Sequence, residues 1–141
     1  MERIKLFVFS LLICIGLSSG CCLADQGISM STLVTPQNVS FATCTHNFNM
    51  PADKLFYMAI SSANANKFTI DEIQSKTGYI LFTAVNKQFL ASVLKKDSSH
   101  SQLKITPTNG VYYFQPGIVL NFFRYIELNG ATPVASITVQ N

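Results

Sequence analysis

The spacing of apolar and polar positions changes period several times along this chain, and each change marks an element. Residues 39–47 (VSFATCTHN) alternate, with Val39, Phe41, Thr43 and Thr45 on one face and Ser40, Ala42, Cys44 and His46 on the other. A period of two predicts a strand, with Phe41 on its inner face. The next stretch, NMPADKLFYMAISSANANK, has a helical period. Phe56, Ala59, Ile60 and Ala63 fall at i, i+3, i+4 and i+7, and Leu55 and Met58 widen that stripe. Asn49 suits an N-cap, Pro51 a first turn and Asp53 the positive helix end, so a helix is expected over 51–64.

Four strand patterns follow: 68–74 (FTIDEIQ), 79–86 (YILFTAVN), 89–96 (FLASVLKK) and 102–106 (QLKIT). The turn 75–78, ending in Gly78, joins the first two into a hairpin. Lys87 and Gln88 read as a bend or bulge, and 97–101 as a polar turn. Residues 111–114 (VYYF) fit a short strand. Beyond them Ile118, Phe122, Tyr125 and Ile126 share one helical face, with Val119 and Phe123 beside it. Pro116 at the start and Gly130 as a C-cap frame a helix over 116–129. Its β-branched and aromatic residues leave a strand as the alternative. Residues 132–141 (TPVASITVQN) are a tail or a last short edge strand. The expected fold is α+β: a curved antiparallel sheet of four to five strands, packed on one face against one or two helices.

The N-terminus follows a different pattern. Arg3 and Lys5 precede the uncharged run LFVFSLLICIGL and then small residues, which is the layout of a cleaved secretory signal. The run is too short to span a bilayer, which takes about 20 residues. Two cuts compete within LSSGCCLADQ. One precedes Cys21 and leaves it as a lipidation candidate; the other follows Ala24. The first cut keeps Cys22 and Cys44 as a candidate disulfide. The second leaves Cys44 a lone thiol in an oxidising space, and this favours the first. The expected organisation is a signal peptide over 1–24, a tether over 25–37 and a single α+β domain over 38–141.

Composition narrows the function. From Asp25 onward eight Lys and Arg face six Asp and Glu, a balance that does not suit nucleic acid. Few cysteines in an exported domain fit a bacterial envelope better than a disulfide-rich secreted scaffold. No cofactor or catalytic motif is present, and none of the cofactor fingerprints has a match. Cys44 and His46 sit two apart, yet His100 is the only other histidine, so neither a metal site nor a nucleophile–base pair gains support. Asp71 and Glu72 are adjacent and, in a regular strand, point to opposite faces. Eleven Phe and five Tyr are many for 141 residues. Tyr112, Tyr113, Phe114, Phe122, Phe123 and Tyr125 crowd the last third, as core or as the lining of an apolar groove.

The stretch MPADKLFYMAISSANANKFTIDEI, followed by SKTGYILFTA, resembles the repeat unit of the outer-membrane barrel-assembly lipoproteins with helix-grip folds. In both, a helix leads to a strand, a tight turn with Gly and an outgoing strand. The resemblance covers about a third of the chain, which has room for one such unit, and it transfers no functional residue. It implies a small envelope lipoprotein. The expected function is a non-enzymatic exported domain, periplasmic or held at the outer membrane by lipid, that binds an envelope protein or lipid. A soluble carrier of an apolar ligand and a periplasmic hydrolase are the alternatives.

Overall fold

A computed structural model describes residues 29–131 of the chain. A short helix α1 (Met30–Val34) and strands β1 (Gln37–Asn38) and β2 (Thr45–Phe48) precede a long helix, α2 (Ala52–Ala65). A meander follows: β3 (Thr69–Gln74), β4 (Tyr79–Ala84), β5 (Lys87–Lys95) and β6 (Ser101–Pro107). Strand β7 (Tyr113–Phe114) and helix α3 (Gly117–Asn129) complete the order. The chain is α+β. Strands β2 to β6 form an open antiparallel sheet in the order β2-β6-β5-β4-β3, and β1 pairs with β7 in a separate two-stranded ribbon.

Alternation along the strands decides which face the helices cover. In β4 the inward Ile80, Phe82 and Ala84 are buried, and in β6 so are Ser101, Leu103, Ile105 and Pro107. Their outward neighbours are only half-buried. Against the inward face α2 sets Leu55, Phe56, Ala59 and Ala63, and α3 sets Ile118, Val119, Phe122, Phe123 and Ile126. Phe82 is the hub, with its ring centroid 5.4 Å from those of Phe68 and Phe122 and 5.5 Å from that of Phe89. Offset stacks of this kind add to the burial energy of the rings.

Several expectations are corrected at the level of turns. The strand expected over 39–47 is broken by a turn at 41–44, closed by Cys44 N–H donating to the Phe41 carbonyl at 3.1 Å. Ser40 nucleates that turn, its hydroxyl accepting from Thr43 N–H at 3.2 Å. Phe41 is therefore 56% exposed rather than inward, while Cys44 and Phe48 are buried. Helix α2 has Pro51 at its N-cap position without a side-chain cap, so Asn49 does not cap it. The β4–β5 turn sits at Val85 and Asn86, both at positive φ, and Lys87 and Gln88 belong to β5. This is a two-residue hairpin whose primed twist fits the flanking strands. Residues 117–129 are helical, which settles the helix-or-strand alternative. Gly130 follows α3 at φ −68°, outside the left-handed region. What it requires is space, because a Cβ there would meet the end of the Met50 side chain and the Ile126 carbonyl.

Part of the stretch read as a tether is ordered against the domain. Helix α1 lies so close to α3 that a Cβ on Gly117 would come within 2.8 Å of the Leu33 carbonyl oxygen. The signal peptide, Cys21, Cys22 and residues 132–141 lie outside the described residues. Among the described residues, no helix is long and apolar enough to cross a membrane.

Candidate functional site

Helices cover one face of the five-stranded sheet; none of the described elements covers the other. Two rows of side chains cross that open face. In one, cross-strand pairing sets Glu72 beside Leu81, Leu81 beside Leu90, and Leu90 beside Thr106. In the next, Gln74, Tyr79, Ser92, Lys104 and Thr45 follow one another from β3 to β2. Leu94 lies on the same face and is 43% exposed. The middle of the face is thus apolar and its flanks are charged.

The acidic flank arises from a local irregularity. The register of β3 on β4 shifts between Ile70 and Glu72, so Asp71 is an extra residue. Such a bulge re-aims side chains. Asp71 and Glu72 now share the open face, contrary to the opposite faces of a regular strand. Asp71 accepts from Thr83 Oγ1 at 2.7 Å and from Gln88 Nε2 at 3.1 Å. Glu72 accepts from Tyr79 Oη at 2.9 Å and from Gln74 Nε2 at 3.0 Å. The Gln74 amide and then the Tyr79 hydroxyl hold the Glu72 carboxyl below its ordinary range. On the opposite flank the Lys104 ammonium lies 5.8 Å from the centroid of the exposed Phe41 ring.

The aromatic residues singled out in the sequence do not meet in one groove. Phe122 joins the Phe82 stack, Phe114 packs edge-on to Phe89, and Phe123 packs on Phe48. All three are core residues. Tyr112 lies edge-on to Phe41, Tyr113 is 54% exposed, and Tyr125 is half-buried.

Cys44 and His46 are close in sequence but differ in setting. Among the described residues Cys44 has no disulfide partner; its side chain is fully buried, and burial pushes the thiol pKa up to about 11. A thiol so protonated at neutral pH is a poor nucleophile. His46 instead reaches across to α3, where its Nε2 lies 2.9 Å from Glu127 Oε1. Its ring packs against those of Phe48 and Phe123, with centroids 4.7 and 5.3 Å away. The pair borders a cleft of about 300 Å3 that Asn47, Asn49 and Met50 also line. Sequence reasoning missed Glu127, because its position on α3 gives no sign of a partner 81 residues away on β2. His100 is far from this pair in the chain and bonds to Asp97, 2.8 Å from Nδ1 to Oδ2. The Ser99 N–H, then His100, hold the Asp97 carboxyl down at about 2. Among the described residues, no three His, Cys, Asp or Glu side chains are grouped to hold a metal ion.

Comparison of the chain with protein-family models and with curated proteins finds no match to either.

Proposed function

We propose that this protein is a non-enzymatic, exported envelope domain that binds a macromolecular partner through the open face of its sheet. The observation that carries the reading is the Leu81–Leu90 pair. Two leucines are placed side by side in the middle of a face that no described helix covers. An apolar centre with a polar, charged rim is the anatomy of a protein-binding surface. The basic and apolar N-terminal segment supports export, and Cys21 would carry the lipid that holds the domain at a membrane. The resemblance to envelope lipoproteins points the same way.

Two measurements test the reading. The mass of the mature N-terminus from the native host should correspond to an acylated Cys21; the mass of the uncut chain would refute export. Replacing both Leu81 and Leu90 by Thr keeps β-propensity while removing the apolar centre. That variant should fold with an unchanged far-UV spectrum and lose its crosslinked partner. Full retention of the partner would refute the open face as the binding surface.

A further inference from the structure

A second cleft, of about 250 Å3, opens where α1, the end of α2, the β4–β5 turn and the start of α3 come together. Leu33, Phe68 and Ile118 give it apolar walls, and Asn66, Gln115 and Asn121 supply its polar groups. None of the residues that line it is charged.

Backbone strain gathers at this cleft. Among the described residues three that are not glycine have positive φ: Lys67, which lies between Asn66 and Phe68, Val85, which lines the cleft, and Asn86 beside it. Two of them have local causes. Lys67 closes α2 in a left-handed cap, its N–H donating to the Asn64 carbonyl at 3.0 Å and the Phe68 N–H to the Ala63 carbonyl at 2.9 Å. Asn86 is a residue type that suits a primed hairpin turn. Val85 is neither. It is β-branched, held at φ 47°, and 61% exposed, so the fold gains little from the strain. Val34 on α1 borders the same cleft and is 63% exposed. Two valines and the half-buried Phe68 thus leave apolar surface that an occupant would cover.

The lining selects the chemistry of that occupant. A charged ligand would lose hydration here without meeting a counter-charge. A carboxamide both donates and accepts, as does a ligand amide. Asn66 Nδ2 donates to the Ser62 carbonyl at 2.8 Å, which leaves its Oδ1 to accept. The side-chain amides of Gln115 and Asn121 have no hydrogen-bond partner among the described residues. The volume lies below the range of about 300–1,000 Å3 that buries a drug-sized ligand, and it suits one branched apolar group with the amides that flank it.

We infer that this cleft binds a small uncharged molecule that joins a branched apolar body to amide groups, as in a short blocked peptide. Val85 occupies its strained position for the contact it makes with that ligand. The cleft is separate from the open face of the sheet, and neither site depends on the other.

Amide NMR of the processed chain, titrated with N-acetyl-leucine amide, tests the inference. Saturable shifts should appear at Leu33, Asn66, Val85 and Asn121 and leave Leu81 and Leu90 unmoved. The charged relatives N-acetyl-leucine and leucinamide should bind about tenfold more weakly or less still. Val85→Asn should raise the thermal midpoint and yet weaken the probe about tenfold, a gain in stability at the expense of binding. Asn121→Leu, at an exposed position, should fold unchanged and weaken the probe about fivefold. Absence of saturable shifts at the cleft would overturn the site, and equal binding of the charged relatives would overturn the ligand class. A Val85→Asn chain that binds the probe as the wild type does would overturn the role of Val85. An Asn121→Leu chain with unchanged affinity would overturn recognition through the carboxamides.

Discussion

The hydroxyl of Ser62 on α2 donates to the carbonyl of Phe122 on α3 at 2.9 Å, and both residues are fully buried. The bond ties α2 to α3 across the core. A buried hydroxyl with its partner contributes about 1 kcal/mol. Ser62→Ala should therefore lower the unfolding free energy by roughly that amount in a urea titration. Ser62→Leu should cost more, roughly 1–3 kcal/mol or above, through overpacking against Phe122.

Much of this interior was legible in the sequence. The helical stripe of Phe56, Ala59 and Ala63 and the period-two runs of β4 and β6 are strong signals, and they built the sheet and its two helices. What stayed hidden is tertiary. Phe41 belongs to a pattern that reads as a strand, yet Ser40 and the 41–44 turn expose it. The bulge at Asp71 exists only as a register between two strands. The His46–Glu127 contact joins residues that neither spacing nor periodicity connects.

Val85 occupies the left-handed region at φ 47°, where a β-branched side chain is strained. Its side chain is largely exposed, so the strain brings little burial in return. Val85→Asn keeps the hairpin and suits positive φ. It should raise stability by about 1 kcal/mol, measured as a higher thermal midpoint. A lower midpoint would show that Val85 contributes through packing instead.

Cys44 sets a pH limit. Its thiol titrates near 11 in the folded chain against an ordinary 9.0, so between those values the folded state binds more protons than the unfolded state. Stability must then fall as pH rises from about 9 to 11 and be unaffected by this group below that window. Cys44→Ala should flatten the decline in unfolding midpoint over that range. The native thiol should also react slowly with iodoacetamide at pH values where an unfolded thiol reacts fast.

Gly117 allows α1 to lie on α3, since a Cβ would press on the Leu33 carbonyl. Gly117→Ala should release α1 while leaving the main sheet intact. Hydrogen exchange should show faster amides over 30–34 with little change in β4 to β6. Equal acceleration in both regions would show that α1 is integral to the core.

The central claim is that the open face of the sheet, rather than the helical face, is where this protein meets its partner. Photo-crosslinking resolves the two directly. A photoreactive amino acid is placed at Leu90 on the open face, or at Tyr57, which is 68% exposed on α2. In the native host, position 90 should give a discrete crosslinked product and position 57 should give none. Crosslinks from position 57 with none from position 90 would contradict the account.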